Sequence, residues 1–521
     1  MFGSLVTLLA AGCGAAPADE VVGVEGHAAA ALPVLTASVF TAPLHSYDDA
    51  PRTVDSDDPA IWVNPRRRGE GLVIGALKDA GLQVYDLAGN VVQTIVPAFR
   101  PAVSAEDPPV PGPQPDPGTG PCPDSESGEV FGRFNNVDVQ YDVSIRLANG
   151  RTRRIDVAVV TDRGCDRLRI FSIDPGQSGG PLVEITAPDA PRLWRNRLVQ
   201  LSPFQSPGAP VEYIENDLDD QSTGYGVTLW RPERRPNELR AFVTQRRRAV
   251  LGEYLIFAAG NGKLSYRQVR EYRFNPVFRI PAPAGTPGGH IDWTPCREDP
   301  FEDPQFEGLV VDQHRSVLYA AQEVIGIWRI PLHDSLPAVV TVPPNRLLHP
   351  TKSFGAGYFA VPDDDEFSCE DSAPEEPVDG TIEVAGNPNV GGEFLEADAE
   401  GLAIYYRPHQ KGYLIASSQG DNTFHIFDRA HPGNHLAAFM FEGVGDTDGH
   451  EVVNVPVGDA FQFGLFALQN GAATGPESED DINGFEYDGS TQFEFLGWEE
   501  IAATFGLAID EDGFDPRNPH E

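Results

Sequence analysis

The sequence predicts an all-β protein, a six-bladed β-propeller with Pro- and Gly-rich loop insertions, and three observations carry that expectation. The chain of 521 residues holds 53 Gly and 47 Pro, which punctuate short apolar, β-branched or aromatic runs. Stretches with a helical 3.6-residue period are nearly absent. One strand pattern recurs six times, roughly every 60 to 100 residues, which suits four-stranded blades of about 50 residues with insertions. A lone four-stranded sheet cannot bury both of its faces. Six packed radially can, and they leave only short, protected edges.

Taken in order, residues 1–13 read as an export signal: Leu8, Leu9 and small residues precede a lipobox-like Cys13. The expected location is therefore periplasmic, outer-membrane-tethered as a lipoprotein, or extracellular, with the membrane touched only through a lipid on Cys13. Residues 14–45 read as a tether, 46–503 as the propeller and 504–521 as a polar C-terminal tail. The first repeat opens with DSDDPAIWVNP and continues through GLVIGAL and GLQVYDL. The Pro-rich stretch Pro97–Glu126 is a surface insertion. The second repeat runs through FNNVDVQYD, IDVAVVTDRG and RLRIFSID, and the third through TGYGVTLW, LRAFVTQRRR and EYLIFAAG. A second Pro-rich insertion, Pro281–Pro304, precedes FEGLVVD, SVLYAAQE and IGIWRI. An acidic loop at Asp363–Glu376 leads to EGLAIYY, GYLIASSQGDN and NTFHIFDR, and the sixth repeat holds DTDGHEVVNV, FGLFALQNG and INGFEYD.

Aligned, the repeats place polar residues at fixed points. Asp58, Asn136, Tyr225, Glu307, Glu400 and Asp448 open the first strands, and Lys78, Arg163, Arg246, Glu323, Asp421 and Asn470 end the second. The aromatics near the ends of the third strands, Tyr85, Phe171, Phe257, Trp328, Phe427 and Tyr487, read as blade core. In a propeller the innermost strands line a central shaft, so both polar sets share one face. Lys78, Arg163 and Arg246 make one side of that rim basic. Glu307, Glu323, Asp398, Glu400 and Asp448, with Asp57 and Asp58, make the other acidic. Carboxylates this dense repel one another unless cations bind, and oxygen ligands suit a hard cation. A highly charged anion bridged to the protein by metal ions satisfies both sides. The formal charge of −40 excludes nucleic acid and anionic membranes as partners. Beyond Cys13 the cysteines are Cys122, Cys165, Cys296 and Cys369. An even count in an exported chain favours two disulfides, and order along the chain favours Cys122–Cys165 and Cys296–Cys369.

DDPAIWVNP, NNVDVQYD, EGLVVD, EGLAIYY, GYLIASSQGDN and DTDG, in that order, resemble the motifs of the β-propeller (alkaline, calcium-dependent) phytases, from about Val54 to Ile501. The resemblance implies calcium-dependent hydrolysis of phosphate monoesters from phytate (inositol hexakisphosphate) by metal-activated water, in a monomer that binds several Ca2+ ions. It implies that Asp57, Asp58, Glu307, Glu323, Asp398, Glu400 and Asp448 hold metal. It further implies that Lys78, Arg163, Tyr225, Arg246 and Gln419 contact substrate, with Lys78, Arg163 and Glu323 taking part in the chemistry. Asp448 matches a structural calcium position. Asn470 stands where that site has an Asp, and Asp79 where the family often has a second basic residue. Other phosphatase chemistries lack their nucleophile: no Arg-His-Gly triplet and no Cys-x5-Arg loop occurs. Two alternatives stay open: another calcium-dependent propeller hydrolase of lactonase type, and a non-catalytic surface binding propeller.

Overall fold

A computed structural model describes residues 32–47, 53–67, 70–97, 122, 131–194, 199–200, 213–214, 222–283, 285, 287–297, 302–363, 366–374, 376–476 and 486–517. The export segment with Cys13 and most of the Pro97–Glu126 insertion lie outside these residues. The architecture is mostly β and propeller-like, with six sheets of four or five strands and three smaller ones. The first sheet comprises Pro59–Trp62, Leu72–Ala76, Leu82–Tyr85 and Val91–Ile95. The second comprises Phe134–Arg146, Thr152–Asp162, Arg167–Ile173 and Leu182–Glu184. The third runs from Gly224–Trp230 to Lys263–Arg273, and Val339–Thr341 joins it in parallel. The fourth spans Phe306–Asp312 to Leu347–Pro350, and the fifth Ala399–Arg407 to His435–Phe441. His450–Val453, Leu465–Asn470 and Tyr487–Gly497 form the sixth. The one α-helix among the described residues, Trp498–Phe505, follows directly.

Strand periodicity explains where the core sits. Successive side chains of a strand face opposite ways, so each strand supplies two cores. Leu72, Ile74 and Ala76 pack with Val137, Val139 and Val160 of the second sheet. Their neighbours Val73 and Leu77 pack the other way, with Val453, Leu465 and Phe493 of the sixth. The same division holds between the second and third, third and fourth, fourth and fifth, and fifth and sixth sheets. The first strand of each sheet packs beside that of the next, and that of the sixth beside Pro59–Trp62.

Two expectations at the ends of the chain are corrected. The part of the expected tether that is described is woven into the body. Val34–Leu35 lies parallel to the outer strand of the fifth sheet, and Val39–Phe40 and Leu44–Tyr47 pair with Tyr487–Gly497. The sixth repeat has three strands of its own, and the N-terminal segment satisfies the free edge of the last. The tail, expected to be polar, packs onto the body through residues 510–517. Asp510 N–H donates to the Tyr405 hydroxyl at 2.9 Å, and Asn454 Nδ2 donates to Asp510 Oδ2 and to the Phe514 carbonyl, both at 2.6 Å. Arg517 pairs with Glu451 and Asp515, each at 3.2 Å, and lines a cavity between the first strands with Asp58, Asp138 and His450. Its charge opposes the burial that raises Asp138 and Glu451, the latter to about 7. A third correction concerns Phe257, which is 40 % exposed, whereas Tyr85, Phe171, Trp328 and Phe427 are core and Tyr487 is half-buried. The disulfides are Cys122–Cys165 and Cys296–Cys369, with Cα separations of 5.2 and 6.0 Å.

Candidate active site

Four of the six polar positions that open the first strands fall on backbone irregularities. Pairing with the second strand shifts register between Phe134 and Val137, Gly224 and Val227, Phe306 and Leu309, and Ala399 and Leu402. A bulge re-aims the side chains it carries. Here it carries Asn135 and Asn136, Tyr225, Glu307 and Glu400. Glycine follows the polar residue in Tyr225-Gly226, Glu307-Gly308, Glu400-Gly401 and Asp448-Gly449. A Cβ on Gly226 would lie 1.9 Å from the Glu307 carbonyl oxygen, and one on Gly308 1.8 Å from that of Glu400. The missing side chain lets each first strand approach the next closely enough to crowd their carboxylates.

Carboxylate oxygens of Glu307, Glu323 and Glu400 lie within 4.8 Å of one another. Glu307 is 6 % exposed, Glu400 4 % and Asp57 1 %. Both carboxylate oxygens of Asp57, Oε1 of Glu323 and Oε2 of Glu400 are buried without a hydrogen-bond partner. Burial, followed by the charges of neighbouring acids, holds Glu307 and Glu400 well above the usual carboxylate range. Burial and the adjacent Asp398 push Glu323 up to about 8. Asp448 is pushed up to about 8 by burial, against the pull of Lys78. Asp57 is raised by burial as well. Orphaned buried oxygens that converge in this way fit a bound cation with oxygen ligands.

The cationic groups adjoin this cluster. Lys78 sits in the turn after Leu72–Ala76 at φ +46°, in the left-handed region. Its Nζ is 2.6 Å from Asp55, 3.5 Å from Asp57 and 3.7 Å from Asp448. Burial opposes its charge, but those acids outweigh burial and hold the ammonium protonated. Arg163 Nη1 donates to Asn135 Oδ1 at 3.1 Å, and Asn135 Nδ2 donates to Glu307 Oε1 at 2.7 Å. The Arg163 guanidinium also stands over the Tyr225 ring, 5.3 Å from its centroid. Burial lowers Arg163 to about 10, and Arg133 and Arg246 add to the shift. Burial raises the Tyr225 hydroxyl well above its usual value, so it stays a proton donor. Arg246 is half-buried, with its Nε unpartnered.

Three further predicted residues border this cluster. Asp58 accepts from Val137 N–H at 3.2 Å and borders the cavity between the first strands with Asp138 and Glu451. It also lines a small cavity with Asn136, Glu307, Glu400 and Asp448, so it adjoins the convergent set. Gln419 donates its amide to Asp448 Oδ1, so its contact is with a carboxylate. Asp398 is half-buried and acts electrostatically on Glu323 and Glu400. Asn470 has its amide satisfied by protein: Nδ2 donates to Glu494 at 2.7 Å and Gly443 O at 3.2 Å, and Oδ1 accepts from Ala472 N–H at 2.9 Å. Hydrogen bonds thus occupy the place where the resemblance implies a structural calcium ligand. Sequence reasoning missed Asn135, Asp55, Arg133 and Gln305, which donates to Glu323 at 3.0 Å. The doubled Asn135-Asn136 was the only available signal, because the other three lie off the repeat pattern. A larger cavity of about 880 Å³, lined by Trp62, Arg66, Arg154 and Asp174, shares no residue with this cluster.

A family model described as Phytase matches residues 4–96 and 352–520. The chain is 26% identical over 480 residues to the 3-phytase of Bacillus subtilis (strain 168), covering 91% of this chain and 85% of that protein. Among solved structures it is similar to a PQQ-bound aldose sugar dehydrogenase from Streptomyces coelicolor, at 13% identity and a TM-score of 0.32, covering 87% of this chain and 100% of that one. It is similar too to an α-L-arabinofuranosidase from Fusarium graminearum, at 7% identity and a TM-score of 0.38, covering 88% and 99%. At such scores neither likeness bears on function.

Proposed function

The chain belongs to the phytase family, and from that premise we propose that it hydrolyses phosphate monoesters of inositol hexakisphosphate at the rim where Lys78, Arg163 and Arg246 meet the Glu307–Glu323–Glu400 cluster. The observation that carries the reading is that cluster itself: three carboxylates within 4.8 Å, two of them, Glu323 and Glu400, with a buried, unpartnered oxygen, beside a band of cations. Asp57, Glu307, Glu323, Asp398, Glu400 and Asp448 would hold calcium, with Asp58 beside Glu307, Glu400 and Asp448. Bound calcium neutralises phosphoryl charge and activates the attacking water.

The chain's own groups do the remaining work. Arg163 offers a planar fork to phosphoryl oxygens and stays charged at neutral pH, and Asn135 fixes its orientation against Glu307. Lys78 supplies a compact charge, its Nζ held by Asp55, Asp57 and Asp448. The Tyr225 hydroxyl donates a hydrogen bond to a phosphate oxygen. Gln419 orients Asp448. These donors are placed before substrate arrives, so little reorganisation is needed as charge builds on phosphorus.

The same reading takes the six large sheets as blades of a six-bladed propeller. The shared cores between consecutive sheets and the packing of the sixth sheet against the first support it. It also takes the protein as an exported monomer that reaches a membrane only through a lipid on Cys13. The test is phosphate release from inositol hexakisphosphate near pH 7–8, with calcium and then with excess chelator. Release should require calcium. Glu400→Gln and Lys78→Ala, each with an unchanged far-UV spectrum, should lose about a hundredfold or more in kcat/KM. Full release in excess chelator would refute the role given to the carboxylates.

A further inference from the structure

Away from the carboxylate cluster, the fifth sheet carries two histidines whose ring nitrogens meet. His425 lies on Thr423–Asp428 and His435 on His435–Phe441, the third and fourth strands of that sheet, which pair antiparallel. His425 Nδ1 and His435 Nε2 are 3.1 Å apart. Their neighbours fix where the protons stand. The Thr423 hydroxyl donates to Asp421 Oδ1 at 2.6 Å, so towards His425 Nε2, 2.9 Å away, it can only accept. His425 therefore carries its proton on Nε2. Burial lowers His425 to about 4, and the neighbouring His435 adds to the shift, so the ring is neutral at pH 7. Its Nδ1 lone pair then faces His435, whose Nε2–H donates to it. The rings are held without any ion. Phe394 stacks on His435, with centroids 4.2 Å apart and planes 13° apart, and Phe427 lies alongside His425. His349, the third histidine nearby, has its Nε2 committed to the Pro432 carbonyl at 2.7 Å.

A shared proton fills this gap, and a metal ion fills it equally well. With bonds of about 2.1 Å to each nitrogen, an ion between them would see the two at roughly 95°, the angle between neighbouring ligands in tetragonal coordination. We propose that His425 and His435 form a metal site apart from the rim, a two-imidazole site for a divalent transition-metal cation such as Cu2+, with water completing the coordination. Calcium prefers the oxygens of the rim, whereas neutral imidazole suits the later first-row ions. Binding releases no proton to solvent. The His435 proton moves from Nε2 to Nδ1, and Nε2 becomes a ligand beside His425 Nδ1. Thr423 and Asp421 hold the His425 tautomer in both states, as partners of metal-binding histidines commonly do. His425 is 5 % exposed, but His435 is only half-buried, so the ion and its waters enter from that side. The site does not depend on the activity proposed above.

The experiment adds an equimolar amount of Cu2+ to the full chain in excess calcium, which keeps the rim carboxylates filled. Electron paramagnetic resonance should show splitting from two imidazole nitrogens. His435→Gln should remove one nitrogen from the spectrum and weaken copper binding about tenfold or more, read by competition with a chelator of known affinity. Thr423→Val keeps both ligands but removes the bond that sets the tautomer, and it should weaken binding about tenfold. His409→Gln, at an exposed turn of the same sheet, should change neither spectrum nor affinity. Unchanged far-UV spectra show that each variant is folded. Copper held without nitrogen splitting, or an affinity that His435→Gln leaves unchanged, would overturn the site. A spectrum lost in His409→Gln instead would place the copper on the surface and overturn it as well.

Discussion

Glu323 and Asp448, each held near 8, make the metal-free site sensitive to pH. A carboxylate whose folded value is raised binds more protons folded than unfolded. Its deprotonation therefore costs stability, and the cost grows as pH rises from the unfolded value, near 4, to the folded one, near 8. Asp57, Glu307 and Glu400 shift in the same direction. The chelated protein should melt lower at pH 8 than at pH 5.5, and calcium should reverse the difference at pH 8 because it binds the folded state. Scanning calorimetry at the two pH values, with and without chelator, measures this. A chelated protein equally stable at both would mean that the cluster is not strained without a cation. Not every residue here was legible in advance. Glu307 and Glu400 were, because each stands in a repeated Glu-Gly-Leu start. Asn135 was passed over for Asn136, because a bulge, which the sequence does not announce, decides which of two adjacent side chains turns towards Glu307.

At the scale of elements, the strands were legible and their partners were not. GLAIYY and YLIASS form the expected hairpin, with Leu402 opposite Ala416 and Tyr405 opposite Tyr413. Local composition is enough for that, since the turn joins neighbours in the chain. Val34–Leu35 and Val39–Phe40 were read as tether because two-residue strands carry no periodicity. They become strands only because the distant edges at His435–Phe441 and Tyr487–Gly497 need partners. Deleting residues 33–47 should leave those edges unpaired, lower the melting temperature by several degrees and promote association. Thermal unfolding and light scattering of the shortened chain check it, and an unchanged melting temperature would show that these strands add little.

Across the whole molecule, charge is the dominant feature. A formal charge of −40 repels itself, so screening should stabilise the fold. The melting temperature of the chelated protein should climb between roughly 0.05 and 0.5 M NaCl at fixed pH, as the screening length falls below the spacing of surface charges. A fall over that range would mean that attractive pairs such as Arg67–Glu70 and Lys352–Glu396 outweigh the repulsion. The buried Arg429–Asp312 pair, fully enclosed at 2.7 Å, should respond little.

The sequence by itself determined the longer strands, the repeat and the chemical type of the rim, because each is written in short-range pattern or in residue type at a recurring position, whereas order along the chain only favoured the disulfide pairs that the fold brings together. Tertiary structure alone decided which carboxylates converge, that Asp58 faces the space between the first strands, that Gln419 serves Asp448, and that Arg133 stands between Lys78 and Arg163. The reason is that a side chain's direction at the rim is set by bulges and by close approach at Gly226 and Gly308. The close approaches join strands some 80 to 90 residues apart, Gly226 to Glu307 and Gly308 to Glu400, and the bulges add a residue that the alternating pattern does not announce, so local pattern encodes neither.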